Sequence, residues 1–194
     1  MKFIAGLIFG IILTPVGIYL YFAGGRAPVA TTDSDVPFEN LLTRKALKAR
    51  IAKEMPKTIP IALTEANFLA GAELYKQHCA LCHGLPLSPK SAIATGMYPH
   101  PPQLLQGTGA TDVTPGETYW KIANGIRLTG MPGFSKSLAE TQMWQVAILL
   151  ANADKLPSSA KAALVASPSL GAPTPTAPSS SAPQAVPTPT PLPK

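Results

Sequence analysis

The chain has 194 residues, a formal net charge of +6, 46% hydrophobic residues and 7% aromatic ones. That length allows one domain plus extensions. The charge excess sits in Arg44, Lys45, Lys48, Arg50, Lys53 and Lys57, which face only Glu54, whereas residues 60–156 carry six basic and six acidic residues. The basic stretch has no interleaved aromatics and no recognised fold, which excludes a nucleic-acid binder.

Residues 1–25 open the chain with an uncharged run of twenty residues, Phe3 to Phe22. Twenty helical residues match the hydrocarbon thickness of a bilayer. Pro15 is tolerable there, and Tyr19 and Tyr21 fall where an interfacial aromatic belt is expected. Lys2 and the small residues Ala23-Gly24-Gly25 also suit a cleaved signal peptide. The apolar run exceeds a signal h-region, so an uncleaved anchor is the expectation.

Residues 26–59 read as a linker with a basic helix. Small residues and two prolines run to Pro37, and Asn40 is placed to cap a helix through about Met55, stopped by Pro56. Leu47, Ile51 and Met55 recur every four residues on one face. Such a helix suits an anionic membrane surface, a partner subunit or plain solvent.

Residues 60–156 read as the compact domain. Thr64 caps a first helix that runs to about His78 and leads into Cys79-Ala80-Leu81-Cys82-His83. Cysteines three apart followed directly by histidine form the attachment pattern of a c-type haem. Cys79 and Cys82 can each add to a vinyl group as a thioether, leaving His83 as an axial iron ligand. These are the chain's only two cysteines. A thioredoxin-like pair lacks its βαβ setting, a zinc site lacks a second cysteine pair, and a disulfide across two residues would be strained.

From Gly84 to Thr114 the chain is rich in Pro and Gly and is expected to wrap a ligand without regular structure. Thr114-Pro115-Gly116-Glu117 is a capping box that opens a helix to about Asn124, ended by Gly125. Ser137 to Glu140 is a second capping box, opening an apolar helix to about Ala153. No convincing strand occurs. The expected fold is all-α: a small helical domain whose thin core is filled out by the haem. Residues 157–194 hold ten prolines, no acid and no aromatic, and are expected to form a disordered Pro/Ala/Ser/Thr-rich tail.

The iron's sixth position needs a ligand. Of five methionines, Met1 and Met55 precede the domain and Met143 lies in the apolar last helix. Met97 is a short path from His83, and His100 is confined among Pro99, Pro101 and Pro102. Met131 lies in the turn-rich Thr129-Gly-Met-Pro-Gly-Phe134, where glycines permit close approach to a ring, and is the expected distal ligand.

Residues 60 to 155 resemble a monohaem class I cytochrome c of the short bacterial type, on the strength of Cys79–His83, Gly71 and Tyr75 in the first helix, Trp144 in the last, and Ile122 to Phe134. The resemblance implies one covalent haem c in the class I helical fold, with His83 and Met131 as axial ligands. It also implies a proline carbonyl, of Pro101 or Pro102, accepting from the His83 ring, and Trp120 either near a propionate or in the core. Maturation of such haems outside the cytoplasmic membrane implies a single-pass protein of the bacterial inner membrane, with the haem domain on the periplasmic side.

The expected function is a membrane-tethered single-electron carrier between respiratory or photosynthetic complexes. The alternative is a permanent haem subunit of a larger membrane oxidase, reductase or reaction centre. The partners expected are redox proteins at the membrane. The methionine loop carries no carboxylate or histidine, so no small-molecule substrate is expected at the iron and no enzymatic turnover by the chain itself.

Overall fold

Two threonine caps and two tight glycines frame the body that carries the haem motif. The computed structural model describes residues 2–106 and 111–166, which contain helices and, among those residues, no strand. The helices are α1 (Lys2–Ala23), α2 (Glu39–Glu54), α3 (Glu65–His78), α4 (Ala80–His83), α5 (Ala92–Gly96), α6 (Pro115–Asn124), α7 (Glu140–Ala151) and α8 (Ser158–Val165). The expected all-α class is what the chain adopts.

Thr64 Oγ1 accepts from the Asn67 N–H at 3.3 Å to start α3, and Thr114 Oγ1 does the same for Glu117 at the start of α6. Each satisfies an amide that a helix leaves orphaned. α3 then crosses α7, and the Gly71 backbone lies directly on the Gln145 carbonyl, where no side chain fits. Around that crossing Ala72, Tyr75, Val146, Ile148 and Leu149 are fully buried, and the Tyr119 ring stacks on Trp144 at 4.3 Å. Burying such side chains contributes about 1.5–3 kcal/mol each. α1 stands apart, with no buried residue and an apolar composition long enough to cross a membrane.

Four local expectations change. Asn40 does not cap α2; Phe38 holds that position in a left-handed conformation, and the Asn40 amide donates to Asp35 at 2.6 Å. Ser137 does not cap α7 either. The Ser137 and Leu138 amides both donate to the Phe134 carbonyl in a turn, so the helix starts two residues later, where Gln142 Oε1 accepts from the Ala139 N–H. Among its described residues the proline-rich loop contains one regular piece, α5, capped by Ser91 Oγ accepting from Ala94.

The fourth change concerns the boundaries. The 157–194 tail was expected to be unstructured from its first residue, yet α8 packs on α3 with Ala160, Ala163 and Leu164 buried. Those three positions recur at helical spacing, and no proline occurs between Pro157 and Pro168. Averaging over the proline-rich remainder hides this stripe. The rest of the expected tail, 167–194, lies outside the described residues.

Candidate haem site

The motif turn is built from the end of α3. The Cys79 amide donates to the Tyr75 carbonyl as the helix closes, and the His83 amide donates to the Cys79 carbonyl at 2.8 Å, winding the pentapeptide into α4. Cys79, Cys82 and His83 thereby come to one wall of a cavity of about 310 Å³, within the size range of ligand sites. Met131 and Met97 line the same cavity. The remaining lining is mainly apolar, including Ile122, Val146, Leu150 and Phe134.

His83 is held from behind. Its Nδ1 donates to the Pro102 carbonyl at 2.8 Å, so of the two prolines considered it is Pro102 that accepts. A ring nitrogen fixed this way sets the tautomer and leaves Nε2 as the free lone pair. Burial lowers the His83 pKa below the ordinary imidazole value, opposed by the Pro102 bond. The neutral, ligating form is thus favoured.

Burial, with a contribution from Cys82, pushes the Cys79 thiol up to about 12. A reactive redox cysteine needs the reverse, a depressed pKa that exposes a thiolate. The thioredoxin-like alternative is therefore disfavoured on electrostatics as well as on fold.

The Met131 loop is fixed to the end of α6. Gly125 turns the chain with φ +68, and a side chain there would meet the backbone of Gly133 and Pro132 within 2.7 Å. Across this contact the Ile126 amide donates to the Met131 carbonyl at 3.2 Å, and the Phe134 amide to the Ile122 carbonyl at 2.9 Å. The Met131 amide itself donates to Thr129 Oγ1 at 3.1 Å.

Sequence reasoning gave Met97 little weight, yet its methyl group packs on the Gly130 backbone, beside Met131. His100 also lines the cavity. His78 is exposed, with its ring edge-on to Phe134. Trp120 is half-buried and outside the cavity lining. Its Nε1 donates to Glu54 on α2 at 3.2 Å. Gln103 went unnoticed; it lines the cavity, and its Nε2 is buried without an acceptor among the described residues.

These residues fit a haem. The cavity is apolar where a macrocycle would lie and has a free imidazole nitrogen and two thioether sulfurs along its walls. A buried donor at Gln103 is left for an anionic substituent.

Comparison with known proteins bears on the same segment. Residues 66–150 match the family described as cytochrome c oxidase, cbb3-type, subunit III. No curated protein matches the chain. Among solved structures, a chain of the Kuenenia stuttgartiensis reducing HAO-like protein complex aligns at 23% identity with a TM-score of 0.41. That alignment covers 48% of this chain and 46% of the other. The fold, the motif and the family match over residues 66–150 identify that segment as a cytochrome c domain, a haem-based electron-transfer module.

Proposed function

We infer that this chain is a membrane-tethered electron carrier with one covalent haem c. Cys79 and Cys82 would hold the ring by thioethers, His83 would be the proximal ligand and Met131 the distal one. The observation that carries the reading is the single cavity shared by Cys79, Cys82, His83 and Met131, with His83 Nδ1 already committed to Pro102. When bound, the haem supplies a one-electron Fe(II)/Fe(III) couple.

The chain's own residues do the rest. The Pro102 carbonyl orients the imidazole and raises its basicity. The glycine-pinned loop holds the Met131 thioether, a ligand that raises the potential in cytochromes c. The apolar walls limit water and set a low local dielectric. α1 would restrict diffusion to the membrane plane and raise the effective concentration near membrane partners. In a bacterium, its haem domain would face the periplasm.

Spectroelectrochemical titration of the intact chain in detergent tests the reading. Reversible one-electron reduction with haem that resists acid–acetone extraction is expected. Haem that extracts freely, or extracts no more readily after Cys79→Ala or Cys82→Ala, overturns the attachment.

The description of the matching family, an oxidase subunit, favours one second reading, a permanent subunit of a membrane redox complex. Purification in mild detergent separates the two. Co-migration with large integral subunits supports the subunit, and isolation as a lone protein supports the carrier.

A further inference from the structure

The basic helix α2 is not absorbed by electron transfer, and its setting is specific. Its C-terminal end is fastened to the cytochrome domain. Ile51 is buried at 3% exposure, Glu54 accepts from Trp120, Thr114 Oγ1 donates to Met55 Sδ at 3.8 Å, and the Pro56 carbonyl rests on the Gly116 backbone. At the other end the Tyr98 hydroxyl donates to Asp35 at 2.7 Å, tying the linker to the loop that supplies Pro102. The helix therefore has one face turned to the domain and one turned away.

At 100° per residue, Leu42, Ala49 and Lys53 lie opposite Ile51, Lys45 lies about 60° to one side of them, and Leu41 and Lys48 follow further round, about 80° and 60° from Ile51. All six are exposed, Leu41 and Leu42 by more than 60%, and the neighbouring Phe38 is 72% exposed. Exposed leucines and a phenylalanine beside lysines, whose long stems can lie on apolar surface while their ammonium groups reach phosphates, can meet the boundary between headgroups and acyl chains.

The nearby acids keep their charge, and Glu54 feels Lys53, but among the described residues none forms an ion pair with Lys45, Lys48 or Lys53. Asp33 accepts from the Val29 and Ala30 amides, Asp35 from Asn40 and Tyr98, and Glu39 from the Val36 amide. Glu54 pairs with Arg50 at 2.5 Å.

Position supplies the occupant. α2 begins only fifteen residues, Gly24 to Phe38, after α1. Even fully extended, such a segment spans about 50 Å, so the face is held at high effective concentration near the bilayer that α1 would enter.

We propose that α2 lies on the anionic phospholipid surface of that bilayer, with Leu41, Leu42 and Phe38 at the acyl boundary and Lys45, Lys48 and Lys53 on phosphates. Because α2 is fastened to α6, this contact fixes the tilt of the haem cavity relative to the membrane. The proposal rests on the anchoring reading of α1.

The test is hydrogen exchange of the full haem-loaded chain in nanodiscs of phosphatidylcholine alone or mixed with phosphatidylglycerol. Amides of residues 39–53 should exchange about tenfold more slowly in the anionic discs, as several lysines near such a surface imply. About 0.5 M salt should abolish the difference, since screening then acts over a few ångström. The triple variant Lys45→Glu, Lys48→Glu, Lys53→Glu should abolish it at low salt. Equal exchange in both lipids for chain that co-elutes with the discs overturns the lipid contact alone. Protection that appears only on adding an acidic protein partner also overturns it. Elution of the chain apart from the discs overturns the anchoring and the proposal together.

Discussion

The Tyr75 phenol donates to the Gly84 carbonyl at 2.8 Å, bridging the turn that contains Cys79, Cys82 and His83. Both residues are buried, and burial followed by the influence of Cys79 drives the phenol above its ordinary range. It stays a protonated donor at every ordinary pH, so the turn carrying Cys79, Cys82 and His83 is clasped by a bond that does not titrate.

Tyr75→Phe keeps the ring and removes the donor. An acceptor left unpaired in the interior costs about 1–3 kcal/mol. The urea midpoint should fall with an unchanged slope, since the surface exposed on unfolding is the same. An unchanged midpoint would mean the clasp contributes nothing.

Gly71→Ala tests the α3–α7 crossing. The added methyl would stand on the Gln145 carbonyl, a backbone atom that cannot swing aside. Overpacking of this kind costs about 1–3 kcal/mol or more. Gly96→Ala is the control, because nothing lies within 4 Å of a side chain there. In α5 it should be neutral or stabilising, by up to about 1 kcal/mol. Thermal unfolding of the two variants should separate clearly.

What could be read from the chain divides by how local its cause is. Thr64 and Thr114 were legible as caps because a cap is settled within four residues. Cys79, Cys82 and His83 fall within five residues, and Met131 is flagged by the glycines and proline beside it. Ser137 carried the same cap spelling but was outcompeted by a turn onto Phe134, and Asn40 was drawn away by Asp35. Met97 and Gln103 reach the cavity only because the Pro-rich loop folds back over it, so no local signal marks them. The Glu54–Trp120 bond joins residues 66 positions apart and likewise leaves no local trace. α8 was hidden because its three buried residues are alanines and a leucine diluted in a proline-rich composition.

Leu164→Ala asks whether α8 belongs to the folded body. Leu164 is 2% exposed and Val165 is 63% exposed. Truncating a buried leucine costs about 2–5 kcal/mol, whereas Val165→Ala should stay within about 0.5 kcal/mol. Equal, small effects on the melting temperature would place α8 outside the cooperative unit.

The lowered His83 pKa makes a pH prediction for the haem-free chain. Its folded value lies below the unfolded value of about 6.5. Between those two values the unfolded chain binds more protons, so stability rises with pH there. The contribution is present above about pH 6.5 and is lost as pH falls through the window toward the folded pKa. The denaturant midpoint should drop on acidification from about pH 7 to pH 5. The slope should flatten over that range in His83→Ala. Parallel slopes in the two proteins would mean that other groups dominate.

Two methionines on one cavity demand a test that separates them. Met131 sits in a loop pinned on both sides by the Met131–Ile126 and Phe134–Ile122 bonds, a geometry suited to holding a sulfur at a fixed point. Met97 lines the same cavity but packs its methyl against Gly130, buttressing the loop. On that division, Met131→Ala should open the sixth position. The reduced protein should then bind carbon monoxide at neutral pH. Its potential should fall by on the order of 0.2 V, a modest share of the ~0.8 V that axial ligation spans. Met97→Ala should keep the six-coordinate spectrum, exclude carbon monoxide and move the potential by no more than about 0.05 V, since the ligand is retained. The reverse pattern would assign the distal position to Met97. Indifference to both substitutions would turn attention to the other histidines on the cavity wall, His100 first and His78 second.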